Sequence, residues 1–123
     1  MALTRERFRE LIGLEEPSVA LRSAKIEARD GYVVEHLRLS LGDEEVRGVL
    51  VRPVTPGPHP AILVGHSHGG VYDIGAMELL EGRDYLFDPP GPALARAGYV
   101  ALCIDPSRIV SWSSFFVCLK STL

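Results

Sequence analysis

The sequence is short of cysteine, tryptophan and long apolar runs. Its 123 residues hold two cysteines, Cys103 and Cys118, and one tryptophan, Trp112. Two thiols are too few for the disulfide framework of a small secreted scaffold. No apolar stretch approaches the roughly 20 residues that cross a bilayer, so no membrane partner is expected. The N-terminus, Met1-Ala2-Leu3-Thr4-Arg5-Glu6-Arg7, is charged where a signal peptide needs an apolar segment. Excess positive charge is also missing: 13 basic against 16 acidic residues leave a net −3. Nothing in that balance attracts nucleic acid or anionic lipid. Internal repeats are absent, which excludes solenoids. What remains is a soluble mixture, 46% hydrophobic and 24% charged, for which a cytoplasmic location is the default expectation. A chain of this length buries about two-thirds of its unfolded surface in one domain.

Local signals divide the chain. Thr4 can cap a short helix with Phe8, Leu11 and Ile12 on one stripe, stopped by Gly13 and Pro17. Residues 1–31 therefore read as a helix and an extended lead-in. From Tyr32 the period becomes two, with Leu37, Leu39 and Leu41 opposed to His36, Arg38 and Ser40. Gly42-Asp43 then turns the chain into a second strand over about Val46 to Val51, giving an antiparallel hairpin with one solvated face. Four prolines between Pro53 and Pro60 make a rigid loop that cannot serve a strand ladder.

Two runs that follow are apolar at every position: Ala61-Ile62-Leu63-Val64 and Tyr99-Val100-Ala101-Leu102-Cys103-Ile104. Such runs predict strands buried on both faces of a parallel sheet covered by helices. Between them, Pro92-Ala93-Leu94-Ala95-Arg96-Ala97-Gly98 has proline near its start and glycine at its stop, as a short helix does. Strand, helix and strand form a βαβ unit with a right-handed crossover. The fold class expected is α/β: a short helix, an antiparallel hairpin, then a βαβ unit of a mostly parallel sheet.

Gly65-His66-Ser67-His68-Gly69-Gly70 is the stretch that bears chemistry. It leaves the carboxyl end of a strand, where open α/β sheets place ligands, and its glycines let main-chain N–H groups approach one closely. The loop can supply N–H donors to an oxyanion. Alternatively, Gly65-x-Ser67-x-Gly69 is a nucleophile elbow presenting the Ser67 hydroxyl. The blander alternative is a tight turn at Gly69-Gly70. His66 and His68 lack the cysteine or carboxylate companions of a zinc site. The loop also lacks a P-loop's Gly-Lys-Ser/Thr and a full G-x-G-x-x-G. No metal or other cofactor is therefore expected.

Between about Tyr32 and Pro106 the chain resembles the α/β-hydrolase superfamily, most closely its dienelactone-hydrolase and acetyl-xylan-esterase-like branch. The resemblance is carried by residues 58–64, by the His66 to Gly70 loop, and by Leu94-Ala95-Arg96-Ala97-Gly98-Tyr99 running into Ile104-Asp105. It implies that His66, Ser67, His68, Gly69 and Gly70 form an oxyanion-hole element, and that the nucleophile elbow comes much later. It also implies a small-molecule ester as substrate. Ser67 stands where the family usually has the loop's first glycine. A minimal serine hydrolase using Ser67 with His36 or His59 stays open as an alternative, as does a non-catalytic binding module.

Asp73, Glu78, Glu81, Asp84 and Asp88 read as solvated charges, Asp105 as structural, and Cys103 as a small core hydrophobe. The resemblance stops after Pro106. Residues 107–123 hold five of the nine serines and no acidic residue. An out-of-family tail is expected there, as in a truncated or frame-shifted chain that is inactive alone.

Overall fold

The computed structural model describes residues 4–11, 18–67 and 74–105. The expected helix stop at Gly13 and Pro17, the 107–123 tail, and His68, Gly69 and Gly70 lie outside the described residues. Helix α1 (Arg5–Leu11) is capped by the Thr4 hydroxyl, which accepts from the Arg7 N–H at 3.2 Å, and it buries no residue. Five strands follow: β1 (Val19–Arg29), β2 (Tyr32–Leu41), β3 (Glu44–Pro53), β4 (Ala61–Leu63) and β5 (Val100–Ile104). They lie in one open sheet in the order β1-β2-β3-β5-β4.

The sheet is mostly antiparallel, which corrects the mostly parallel expectation. Pairs β1/β2, β2/β3 and β3/β5 are antiparallel, and β4/β5 is parallel. The β2/β3 hairpin turns at Gly42-Asp43 as the sequence indicates, with Leu41 opposite Glu44. A second hairpin, β1/β2, turns at Asp30-Gly31, where Gly31 takes φ +82°. That conformation disfavours any residue with a Cβ. Strand β1 escapes the periodicity reading because it is an edge strand. All but one of its 11 residues are exposed, so no buried face imposes an alternation on it.

Helices cover one face of the sheet. Short helix α2 (Glu78–Glu81) is led in by a 3-10 turn (Gly75–Met77), and α3 (Pro90–Arg96) follows. Against them pack Tyr32, Val34, Val49, Val51, Ala101 and Cys103, with Ala76, Leu79 and Ala95 from the helical side. Cross-strand register puts these strand residues on one face, since Val34 opposes Val51 and Val49 opposes Cys103. The face of β2 packed against these helices is therefore that of Val34 and His36, while on the other face Leu37 is also buried and Leu39 and Leu41 are half-buried. Ser40, expected on the polar side, is buried.

The opposite face carries Leu37, Leu39, Val46, Leu50, Leu102 and Ile104, of which Leu37 and Val46 are buried and the others half-buried. Val100, Leu102 and Ile104 are half-buried while Ala101 and Cys103 are buried. In β4, Ala61 is exposed and Ile62 and Leu63 are half-buried. Burial on both faces, expected for these two runs, does not occur among the described residues. No described helix is long and apolar enough to cross a membrane.

Helix α3 ends as its sequence predicts. The Gly98 N–H donates to Ala95 O and the Tyr99 N–H to Leu94 O, both at 3.0 Å, with Gly98 at φ +93°. This is the paired bonding of a Schellman stop. It returns the chain directly into β5, where the Val100 N–H donates to Pro60 O at 2.9 Å and places β4 beside β5.

Candidate functional site

The parallel ladder extends one residue past β4, with the Val64 N–H donating to Leu102 O at 2.8 Å. Gly65, His66 and Ser67 then leave the carboxyl end of the strand. Ser67 is exposed and its φ is negative, so its Cβ costs no backbone strain.

Every polar group of Ser67 is engaged by one stretch of the crossover. Its main-chain N–H donates to Glu78 Oε2 at 3.2 Å, and its carbonyl accepts from Arg83 Nη2 at 2.5 Å. Its hydroxyl bonds the Tyr85 hydroxyl. Glu78 and Arg83 in turn pair with each other, Arg83 Nε donating to Glu78 Oε2 at 2.8 Å. Their side chains retain 8% and 7% exposure. The expectation that Glu78 is a solvated charge is therefore corrected. A buried carboxylate is costly alone, and the guanidinium with the Ser67 amide is what permits it here. Glu81, Asp84 and Asp88 are exposed as expected, and Asp73 lies outside the described residues.

Arg83 and Tyr85 were not singled out from the sequence. The signal for them is spacing. Glu78 and Arg83 bracket Gly82, where α2 ends, so the chain doubles back and the two side chains meet.

The histidines are dispersed. His66 Nδ1 lies 3.4 Å from Ser67 O, at the long limit of a hydrogen bond. His36 Nε2 lies 3.5 Å from Glu27 Oε2 on the β1/β2 hairpin. His59 Nε2–H donates to Thr55 O at 2.9 Å inside the proline loop. None of them is hydrogen-bonded to the Ser67 hydroxyl among the described contacts.

Two further groups frame the site. Asp105, just past β5, accepts from Arg47 Nε at 2.8 Å and from the Ala76 N–H at 2.5 Å. It thereby ties β3 and β5 to the 3-10 turn that leads into Glu78. Cys103 is fully buried. Burial pushes its thiol up to about 11, with the carboxylates of Glu78 and Asp105 adding to the rise and a backbone hydrogen bond from His66 opposing it. A thiol so raised stays protonated and is a poor nucleophile near neutral pH. No group of three or more metal-binding side chains occurs among the described residues.

No protein-family profile matches the chain, and no solved structure matches it. Over 90 residues it is 44% identical to a Bacillus subtilis (strain 168) protein named "Putative hydrolase YtaP". The matched stretch is 71% of this chain and 30% of that protein. The chain thus spans less than a third of the curated relative it matches.

Proposed function

We propose that residues 32–106 belong to an α/β-hydrolase of the dienelactone-hydrolase and acetyl-xylan-esterase-like branch, whose whole protein cleaves carboxylic esters of small molecules. The 65–70 loop serves it as the oxyanion element. The likeness to a Bacillus protein named as a hydrolase supports hydrolysis as the reaction class. The strand order supports the family: the chain leaves β3, passes one position to β4, and returns through α2 and α3 to fill the gap with β5.

The observation that carries the reading is the place and bonding of Ser67. It lies at the carboxyl end of β4, where open α/β sheets bind ligands, and its hydroxyl faces a tyrosine rather than a histidine. An attacking serine needs a base within hydrogen-bond reach, whereas an oxyanion loop needs only fixed main-chain donors. The donors proposed for the oxyanion are main-chain N–H groups of the His66 to Gly70 loop. Each well-placed donor contributes about 3–4 kcal/mol to the transition state. The nucleophile, acid and histidine come from elsewhere in the whole protein.

The test is a chimera in which the 90 matched residues of the Bacillus protein are replaced by those of this chain. Hydrolysis of p-nitrophenyl acetate is assayed beside the unaltered relative. Turnover by both is expected. A folded but inert chimera beside an active relative contradicts the role given to the loop. Inertness of both toward esters contradicts the ester assignment.

A further inference from the structure

We infer that strand β1 is an interface between two copies of this chain, which pair edge to edge about a two-fold axis at Ile26. The inference does not depend on the reaction the chain serves. Strand β1 lies at one edge of the sheet, and all of its 11 residues except Glu27 are exposed. What its free side offers follows from the ladder on its bonded side. In an antiparallel pair, alternate residues bond the neighbouring strand and the others turn their N–H and C=O groups away from it. The Gly42 N–H donates to Ser18 O at 3.1 Å, so even-numbered residues along β2 are those bonded to β1. The register sets Val34 opposite Glu27 and His36 opposite Lys25. Glu27 and Lys25 therefore bond β2, while Ala24, Ile26 and Ala28 each turn an N–H and a C=O outward.

The side chains select a second copy as the strand that takes up these groups. An edge lysine ordinarily discourages strand addition, and Lys25 makes no ion pair among the described residues. Glu27 engages Arg29 with one oxygen at 3.0 Å and has a 3.5 Å approach from His36 Nε2 at the other. When β1 pairs antiparallel with its own copy, Ile26 opposite Ile26, Lys25 of each copy comes opposite Glu27 of the other, and Ala24 opposite Ala28. Lys25 and Glu27 then occupy non-hydrogen-bonded positions, where cross-strand side chains approach most closely. Sliding the register by two residues puts Lys25 or Glu27 opposite its own copy, and like charges so placed are destabilising. On the other face Ile26, 62% exposed in the single chain, is covered by its counterpart. The bulge between Leu21 and Ser23 bounds the paired stretch to residues 23–29. An interface this short makes a weak dimer.

Sedimentation velocity of this chain over a concentration series tests the inference, and a monomer–dimer equilibrium is expected. Lys25→Glu sets like charges opposite each other and is expected to raise the dimer Kd at least about tenfold. Lys25→Glu with Glu27→Lys exchanges the charges and is expected to restore pairing. Ile26→Pro removes an N–H that the β1/β2 ladder does not use, so the circular dichroism of the sheet is expected to survive while the dimer is lost. The charge variants read the same interface without a backbone change. In a Cys118→Ser background, Ile26→Cys is expected to form a disulfide between copies, because Cα atoms in such a pair lie about 5.5 Å apart. Ala24→Cys, which faces Ala28, is expected to form none. A chain that stays monomeric at every concentration overturns the inference. So does a dimer that ignores the charge reversal and is not cross-linked through position 26, since its contact lies on another surface.

Discussion

Single residues in this molecule are set by what surrounds them more than by their type. Burial drives the Cys103 thiol up from the ordinary 9.0 of a free cysteine to about 11. At pH 8 that shift lowers the thiolate fraction about 100-fold. In a Cys118→Ser background, iodoacetamide is expected to modify Cys103 about 100-fold more slowly in the native chain than in the unfolded one. Equal rates would contradict the burial. The same shift has a sign for stability. The unfolded thiol ionises first, so the contribution is intact below pH 9 and is lost as pH climbs through about 11. The urea midpoint should fall over that window, and should fall less in Cys103→Ala. Leu79 is fully buried between helix and sheet. Leu79→Ala is expected to cost about 2–5 kcal/mol by urea unfolding, and a cost below about 1 kcal/mol would place it outside the core.

Elements follow from local chemistry wherever that chemistry is self-contained. The β2/β3 hairpin and helix α3 were legible because a Gly-Asp turn, a leading proline and a stopping glycine act within a few residues. The end of α3 depends on Gly98 at φ +93°, so Gly98→Ala is expected to lose about 1 kcal/mol in urea unfolding. Its start depends on space. A Cβ on Gly91 would come within 2.7 Å of Leu79 O and 2.9 Å of Val51 Cγ2. Gly91→Ala is therefore expected to destabilise by about 1–3 kcal/mol through overpacking, and a neutral result would mean that α3 can lift from the sheet. Breaking the Glu78–Arg83 pair from one side should cost about 3–5 kcal/mol, because it leaves a buried charge alone. Glu78 was not legible because its burial depends on a partner five residues on and on an amide eleven residues back. Its charge alone argued for solvent.

At the scale of the whole molecule, α2 and α3 pack on one face of the sheet, and the other face carries buried Leu37 and Val46 among half-buried neighbours. Apolar runs such as 61–64 and 99–104 announce strands without stating how many layers cover them, and β1 carries too little buried surface to announce itself. That is why the antiparallel β2/β3 and parallel β4/β5 contacts were readable while the antiparallel β1/β2 and β3/β5 pairs were not. Leu39, Leu50, Leu102 and Ile104 stand half-buried on that second face. Apolar patches of this kind bind apolar dyes. The chain is expected to enhance 8-anilinonaphthalene-1-sulfonate fluorescence in native buffer, and Leu50→Ser to reduce it. A folded chain that leaves the dye dark would contradict the partial exposure of these residues.

The central claim is that the loop after β4 offers main-chain donors to a reaction intermediate and does not offer its serine for attack. Treatment of the active chimera with a fluorophosphonate, followed by peptide mass spectrometry, tests this most directly. The account predicts an adduct on a serine outside this segment and an unmodified Ser67. An adduct on Ser67 would contradict it.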